Sequence, residues 1–259
     1  MRTIKIISYQ ISILIILFIS NACNAQKAPT FMDGEDPKPN DKKWKLVKNM
    51  SDEFDGKKID ETKWQISGQG WIGRSPGLFL AENIKIKKGS LQITTTMLPK
   101  PVIKNNEKFT HGGGYVGSRN AMKYGYYECE MKANKTFMSS TFWFINNRND
   151  GTYCDKRVTE LDIQECVGQI TGTGNSTFDE TIHSNSHSRN ASCSSTVEGS
   201  AGNNTSLGGK AWADYYVYGA WWKSATEIEI YLNGVKVYTI NPVEKFNLPS
   251  LSIRFCNTA

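Results

Sequence analysis

Three carboxylates lie close together in one short segment, with the spacing Glu160-x-Asp162-x-x-Glu165. Large apolar residues lie between them, which is typical of a half-buried strand rather than of a solvated acidic loop. Because side chains alternate between the two faces of a strand, Glu160 and Asp162 share a face and Glu165 is expected on the other. A β-bulge near residues 163–164 would add one residue and return Glu165 to the shared face. The spacing therefore predicts a bulged strand that presents all three carboxylates together.

Such a cluster has a chemical use that folding alone does not explain. Crowded like charges cost free energy, whereas cleavage of a glycosidic bond with retention needs two carboxyl groups about 5–5.5 Å apart, one as nucleophile and one as acid/base. A solvated acidic face and a calcium site are the alternatives, but calcium loops usually place glycine and backbone carbonyls between their carboxylates. The chain also has 7 Trp, 11 Tyr and 11 Phe, as a sugar-stacking cleft requires. The cluster thus favours a sugar-cleaving site.

The size and charge of the chain limit its class. Its 259 residues are enough for one all-β domain with a full core. The formal net charge is +6; Arg2 and Lys5 lie in a segment that we expect to be removed, and subtracting those two leaves +4. This mild excess suits an acidic polysaccharide. The basic residues are scattered, so we expect no nucleic-acid partner.

The N-terminus has the pattern of an export signal. Arg2 and Lys5 supply the positive start, residues 11–19 form the apolar core, and residues 20–25 are small and polar like a cleavage region. The apolar run is too short for a membrane span. We therefore predict a signal peptide over residues 1–25.

Two cleavage sites fit this signal. A cut before Gln26 gives a secreted protein, and a cut before Cys23 gives an outer-surface protein with a lipid anchor on that cysteine. Residues 26–42 are rich in Pro, Lys and Asp and predict a flexible linker. Residues 43–259 then form a single domain.

The cysteines leave the disulfide state open. Five of the six remain after the signal, so at least one is free or pairs outside the chain. Cys129 and Cys166 lie in apolar, strand-like stretches and are expected in the core. Cys154 and Cys193 lie in polar surroundings and could form a disulfide in an exported protein. No cysteine or histidine spacing indicates a zinc site.

The elements that would position the carboxylates are short strands. From Trp44 onward, alternating apolar runs are separated by Gly, Asn, Asp and Lys, and Asn233-Gly234 is a strong two-residue hairpin signal. No segment of twelve or more residues after the signal shows helical periodicity. The pattern predicts a jelly-roll β-sandwich. The Ser-, Asn- and Gly-rich residues 190–209 are expected to form a long mobile loop.

Several segments carry a family resemblance through their order along the chain. They are Ser51-Asp52-Glu53-Phe54-Asp55-Gly56 with Trp64, Trp71-Ile72-Gly73-Arg74 with Pro76-Gly77 and Phe79, Tyr124-Gly125-Tyr126-Tyr127-Glu128, Met138-Ser139-Ser140-Thr141-Phe142-Trp143, and Thr159 to Glu165. From about Trp44 to its end, the chain resembles glycoside hydrolase family 16, most closely the β-agarase and porphyranase branch.

The resemblance implies two curved antiparallel sheets with a cleft on the concave face. By position, Glu160 would be the nucleophile and Glu165 the acid/base, with Asp162 hydrogen-bonded to Glu160. Crowding raises the pKa of one carboxyl group, so Glu165 can hold a proton near neutral pH while Glu160 stays ionised.

Three residues before the carboxylate segment are candidates for substrate binding. The resemblance implies that Trp143 stacks on a sugar ring, against the alternative of a core tryptophan. Trp71 and Arg74 are expected to line the cleft, against the alternative of a structural turn. Arg74 is also the clearest candidate for binding a sulfate group.

The next strand supplies three more candidates. His183, Asn185 and His187 alternate and therefore share a face, from which they can hydrogen-bond sugar hydroxyls. A third metal ligand is not in view, so no metal is predicted there. The resemblance makes a structural calcium ion possible near the opening strand, and no cofactor is expected to be required.

Together these features predict an exported, monomeric, retaining endo-hydrolase of a marine galactan, most simply agarose or porphyran. Within the family, a β-1,3-glucanase acting on laminarin and a κ-carrageenase are the alternatives. A non-catalytic, lectin-like sandwich is the alternative of another class, although a pure binder has no use for three crowded carboxylates. Family members usually continue past the last residues here, so we also expect a shortened end with an unpaired strand edge.

Overall fold

The computed structural model describes residues 28–66, 68, 70–146, 158–172, 176–189, 198–243 and the backbone of 252–258. Two short 3₁₀ turns occur, at Lys48–Met50 and Ala81–Asn83. The strands in chain order are β1 (Trp64–Gln65), β2 (Gly73–Arg74), β3 (Gly77–Phe79), β4 (Ile84–Ile86), β5 (Leu91–Ile93), β6 (Thr96–Lys104), β7 (Glu107–Ser118), β8 (Gly125–Met131), β9 (Ser139–Ile145), β10 (Val158–Val167), β11 (Thr181–Arg189), β12 (Gly199–Ser206), β13 (Tyr216–Ser224), β14 (Glu227–Leu232), β15 (Val235–Ile240) and β16 (Ser252–Thr258).

The described strands form two main sheets. The large sheet runs β12-β11-β10-β9-β16-β7-β3-β2, with β1 and β6 also paired to β7. The small sheet runs β15-β14-β13-β8, and β4 pairs with β5 in a separate ribbon. Neighbouring strands are antiparallel except for β3 and β7, which are parallel. The predicted jelly-roll β-sandwich is confirmed.

The core lies between the two sheets because apolar residues alternate along their strands. Leu161 and Ile163 of the large sheet are fully buried, and so are Ile228 and Ile230 of the small sheet. Burying a side chain of this size stabilises the fold by about 1.5–3 kcal/mol. The intervening residues of the large sheet point away from the core, and we call this surface the site face.

The Asn233-Gly234 hairpin joins β14 to β15 as predicted. Leu232 and Val235 pair directly, so the loop has two residues. Both loop residues have positive φ, 50° for Asn233 and 80° for Gly234. Positive φ at both positions matches the right-handed twist of the flanking strands, which explains the choice of Asn and Gly.

Part of the segment expected to be a flexible linker is packed against the small sheet. The backbone amide of Thr30 donates to the Glu128 carboxylate at 2.9 Å. The ring of Phe31 lies 4.6 Å from that of Tyr126 and 5.4 Å from that of Tyr231. A single aromatic anchor outweighs the polar composition of the segment because it covers rings that would otherwise face water.

The predicted mobile loop over residues 190–209 is wrong for its second half. Residues Gly199–Ser206 form the edge strand β12, which pairs with β11 over eight residues. Backbone pairing stabilises this strand although it has almost no apolar side chains. Gly202 permits the close approach, since a Cβ atom there would lie 2.6 Å from the carbonyl oxygen of Ser184. Residues 190–197 lie outside the described residues.

The remaining expectations about the chain are met in part. Cys166 is buried in the core, Cys129 packs against it, and both are free thiols as expected. Cys154, Cys193 and the predicted signal lie outside the described residues. No described helix is long and apolar enough to cross a bilayer. The backbone of β16 pairs with β7 on one side and β9 on the other.

Candidate active site

A β-bulge in β10 brings the three carboxylates to the site face. Asp162 pairs with Trp143 of β9 and Gln164 pairs with Phe142, so Ile163 is the extra residue. Ile163 and Gln164 are both completely buried on the core side. Glu165 therefore returns to the face of Glu160 and Asp162, as the spacing predicts.

The buried amide of Gln164 repairs the strand pairing that the bulge interrupts. Pairing between β10 and β11 extends from Val158 to Asp162 and stops there. Beyond it, Gln164 Nε2 donates to the carbonyl of Thr181 at 3.1 Å, and its Oε1 accepts the backbone amide of His183 at 2.8 Å. Gln164 thus holds the bulge against β11. The sequence analysis missed this role, for which an amide among apolar residues was the available signal.

The strand β11 provides a partner or neighbour for each carboxylate. Glu160 is opposite His187 and Asp162 is opposite Asn185 in the register. His183, Asn185 and His187 all lie on the site face, as their alternation predicts, whereas the intervening serines are buried.

The three carboxylates have different cationic neighbours. Glu160 Oε2 accepts a hydrogen bond from Arg189 Nη2 at 2.6 Å. Asp162 Oδ2 lies 3.2 Å from His187 Nε2, without hydrogen-bond geometry. The expected hydrogen bond between Asp162 and Glu160 is absent from the described residues, because each carboxylate turns to its own cation across β11.

Glu165 lies in a different electrostatic environment. Its Oε2 is 3.9 Å from His183 Nδ1. Burial, followed by the charge of Glu160, raises the pKa of Glu165, while His187 and the more distant Arg74 and Arg189 work in the opposite direction. Glu165 is therefore poised to hold a proton at a pH where an exposed glutamate would have lost it.

Asp162, His183 and His187 titrate together with Glu165. Burial, and then the charges of Glu165 and Glu160, raise the pKa of Asp162 to about 7, although His187 opposes this. Asp162 in turn raises the pKa of His187, whereas burial lowers that of His183. The proton on this set belongs to the cluster rather than to a single residue.

An aromatic cluster adjoins the carboxylates on the site face. Trp143 and Tyr115 are buried there, apart from the main core, with Trp71 and Phe79 packed against them. The rings of Trp71 and Trp143 lie 5.9 Å apart and almost perpendicular. Trp143 is thus next to Asp162 on the site face, where it is buried at 8% exposure in a cluster separate from the main core.

Four buried polar atoms on the site face have no hydrogen-bond partner among the described residues. They are Trp143 Nε1, Asp162 Oδ2, His183 Nδ1 and Asn185 Oδ1. Buried polar groups are rarely left unpaired, and a bound hydroxyl-rich molecule would pair donors and acceptors alike. The cluster is therefore shaped for a polar ligand.

Arg189 is a site residue that was not among the predicted candidates; it directly precedes residues 190–209, which were expected to form a loop. Arg189 is the last residue of β11 and reaches Glu160. Its signal was the continued alternation after His187, which places it on the same face. Lys210, by contrast, pairs with Asp179 and Glu180 at 2.8 and 2.9 Å.

Side chains near the opening segment and on the site face are the candidates for holding a metal ion. Near the opening segment, the Asp52 carboxylate already accepts the amide of Phe54 and the indole of Trp64, at 2.9 and 3.0 Å. Those contacts account for the orientation of Asp52 without an ion, and a structural calcium ion there stays a prediction. Among the described residues, only Glu160, Asp162 and His187 bring three ligand atoms within 4.8 Å of one another. Arg189 already neutralises Glu160 there, so the set fits an ion poorly.

Comparisons with known proteins agree on one family. The family described as Beta-porphyranase A-D, GH16 domain, matches residues 44–258. Beta-porphyranase B of Zobellia galactanivorans is 60% identical over 245 residues, covering 93% of this chain and 84% of that protein. The crystal structure of porphyranase B from the same organism superposes with a TM-score of 0.87 at 59% identity, covering 90% of this chain and 88% of that one. Beta-agarase A of that organism is 27% identical over 78% of this chain and 36% of its own length.

Proposed function

Because this chain belongs to the β-porphyranase A–D group of glycoside hydrolase family 16, we propose that it is a retaining endo-hydrolase of porphyran. The observation that carries the proposal is the bulge at Ile163, which places Glu160, Asp162 and Glu165 on one face. The identity to a porphyranase is more than twice the identity to an agarase, so porphyran is favoured over agarose.

Glu160 and Glu165 divide the chemistry of a double displacement. Glu165 donates its proton to the glycosidic oxygen as the bond to the anomeric carbon breaks, while a carboxylate oxygen of Glu160 forms a bond to that carbon. Glu165 then takes a proton from water, the water oxygen attacks the anomeric carbon, and Glu160 leaves as a carboxylate. The raised pKa of Glu165 supports its role as the acid.

Asp162 would adjust the charge of the pair rather than react. It lies between the two glutamates in sequence and is the most deeply buried of the three carboxylates. With His187 it can hold or release a proton as Glu165 changes state, which keeps the net charge of the cluster nearly constant. Arg189 and His187 supply the compensating charge, so we propose that no metal is required.

The aromatic cluster and the cations of the site face would bind the polysaccharide. The perpendicular pair Trp71 and Trp143 offers apolar surface beside the carboxylates. Arg74 is exposed on β2 close enough to Glu165 to influence its pKa. A guanidinium group at that position suits a sulfate substituent.

We further propose that the chain is exported through a signal peptide at residues 1–25 and that it is a monomer.

Release of reducing ends by the purified full chain tests the activity. Porphyran, agarose, κ-carrageenan and laminarin serve as substrates, with Glu160→Gln as the inactive variant. We expect cleavage of porphyran, weaker or no cleavage of agarose, and none in the variant. Cleavage of laminarin alone would overturn the substrate, and binding without cleavage by a folded chain would favour the lectin-like alternative.

The anomeric form of the first product tests the mechanism. Proton NMR during early hydrolysis should show the β-anomer before mutarotation, because two displacements restore the original configuration. An α-anomer as the first product would contradict the roles given to Glu160 and Glu165.

A further inference from the structure

The contact between Arg189 and Glu160 has no counterpart at the other two carboxylates. Arg189 Nη2 lies 2.6 Å from Glu160 Oε2, within the range of a charge-assisted hydrogen bond. The Glu160 side chain is 14% exposed and that of Arg189 is 42% exposed. The pair is thus open to water on the arginine side and enclosed on the glutamate side.

A guanidinium group fixes both the charge and the orientation of its partner. Arginine keeps its proton throughout the working pH range, so Glu160 has a permanent cation beside it. The hydrogen bond holds Oε2, and Oε1 makes no hydrogen bond with another described residue. One oxygen is therefore held and the other is available to form a bond with an anomeric carbon.

Glu165 and Asp162 lie next to histidines instead of an arginine. Glu165 Oε2 is 3.9 Å from His183 Nδ1, beyond hydrogen-bond distance, and burial lowers the pKa of that histidine. Asp162 has His187, which can lose its proton. Only Glu160, of the three, has a partner that cannot become neutral. This asymmetry separates a residue that must stay ionised from one that must carry a proton.

We propose that Arg189 is a positioning residue for the reaction: its hydrogen bond to Oε2 holds the Glu160 carboxylate in the orientation for attack. Arg189 acts through Glu160 and does not contact the reacting bond. The inference rests on the proposed function, since it presupposes that Glu160 is the nucleophile.

A role in binding the substrate is the competing explanation, because Arg189 is partly exposed and cationic. The two roles predict different kinetics. Loss of a positioning residue lowers kcat with little change in KM, whereas loss of a contact to sugar or sulfate raises KM. Removing a purely structural residue would lower the melting temperature without a selective effect on kcat.

The experiment compares Arg189→Gln and Arg189→Lys with the wild type on whichever polysaccharide the wild type cleaves. We expect Arg189→Gln to lower kcat about 10–100-fold with KM changed less than about threefold, since one charged hydrogen bond is lost. Arg189→Lys should recover part of kcat, because lysine restores the charge but not the planar geometry. Arg74→Gln is the matched control on the same face and should affect mainly KM.

Chemical rescue adds a readout that a structural role would not move. Added guanidinium ion at millimolar concentration should raise the kcat of Arg189→Ala and leave Glu160→Gln inactive. A rise in KM with unchanged kcat in Arg189→Gln would overturn the proposal in favour of substrate binding. An unchanged kcat and KM would show that the contact has no role.

A crystal structure of Arg189→Gln separates this inference from the proposed function. If the wild type cleaves no galactan, the proposed function fails, but the structure still decides the positioning claim. We expect the Glu160 carboxylate to leave its position or to occupy several orientations in the variant. A Glu160 side chain that superposes on the wild type would overturn the claim.

Discussion

Two buried carboxylates on opposite sides of the sandwich are treated differently by the fold. Glu229 lies on the outer face of the small sheet and is 6% exposed. Its oxygens accept hydrogen bonds from Lys236 at 2.7 Å, Lys223 at 3.1 Å and Tyr231 at 2.9 Å. Although burial works in the opposite direction, these donors hold the pKa of Glu229 below its ordinary value.

Asp162 on the site face is equally buried but has one close nitrogen, that of His187, and its pKa is raised. The pKa of Glu165 is likewise raised, and Glu165 has no cation within hydrogen-bond distance among the described residues. The carboxylate of Glu229 is surrounded by donors that stabilise its charged form. The proposed acid Glu165 has no such donor, so its protonated form is favoured as an acid role requires, whereas the proposed nucleophile Glu160 keeps one donor, Arg189.

The largest expected effect is the loss of activity in Glu165→Gln. The variant keeps the shape of the side chain but cannot exchange a proton, so kcat/KM should fall about 10²–10⁴-fold. Its melting temperature should equal or exceed that of the wild type, because a carboxyl group whose pKa the fold raises has been replaced by a neutral amide. Reducing-end assays and calorimetry measure both; a lower melting temperature would mean that Glu165 is structural after all.

The matched substitution on the other face, Glu229→Gln, should have the opposite profile. Loss of its charge weakens three hydrogen bonds, and we expect about 1–3 kcal/mol lower stability. The activity should stay within about twofold of the wild type, since Glu229 lies on the far sheet. Urea unfolding gives the free energy of unfolding. A larger loss of activity in this variant would contradict the structural role given to Glu229.

The pH dependence of stability sharpens the comparison at Asp162. Its pKa is 3.8 ordinarily and about 7 in the folded chain, so the folded state holds the proton more tightly. The wild type therefore loses stability as pH rises from about 4 to about 7, and Asp162→Asn lacks this loss. We expect the drop in melting temperature between pH 4.5 and 7.5 to be smaller by about 3 °C or more in the variant. An identical drop in both proteins would contradict the raised pKa.

Apart from its effect on KM, Arg74→Gln is expected to cause the smallest change, a shift in pH dependence. The charge of Arg74 lowers the pKa of Glu165, so Arg74→Gln should raise that pKa further. The acid then keeps its proton to higher pH, and the alkaline limb of kcat/KM should move up by a few tenths of a pH unit, roughly the effect of one solvent-screened charge. Arg119→Gln, whose wild-type guanidinium donates to the backbone carbonyl of Glu61 instead, should leave the limb in place.

The bulged strand β10 was predictable because its pattern is local. Three carboxylates with apolar residues between them require a strand, and their spacing requires one extra residue, which the structure places at Ile163. The shared face of His183, Asn185 and His187 follows from simple alternation. Neither prediction needed any contact distant in the chain.

The partners of these residues were not predictable in the same way. Arg189 was not predicted as a site residue because Ser- and Asn-rich sequence directly follows it, and β12 forms only because β11 offers a backbone edge. Glu229 reads as a solvent-facing position in an alternating strand. In the folded chain Phe31 packs on Tyr231, which donates to Glu229, and Glu35 accepts the backbone amide of Lys236, so a segment almost two hundred residues away packs on that face. Such contacts depend on the folded topology rather than on composition.

The two faces of the sandwich shift the pKa of a glutamate carboxyl group in opposite directions. Carbon-13 NMR of the full chain with labelled glutamate carboxyl carbons measures it directly, with Glu165→Gln and Glu229→Gln assigning the two signals. We expect Glu165 to titrate above the ordinary glutamate pKa of 4.5 and Glu229 to titrate below it. Equal midpoints, or the reverse order, would contradict this expectation.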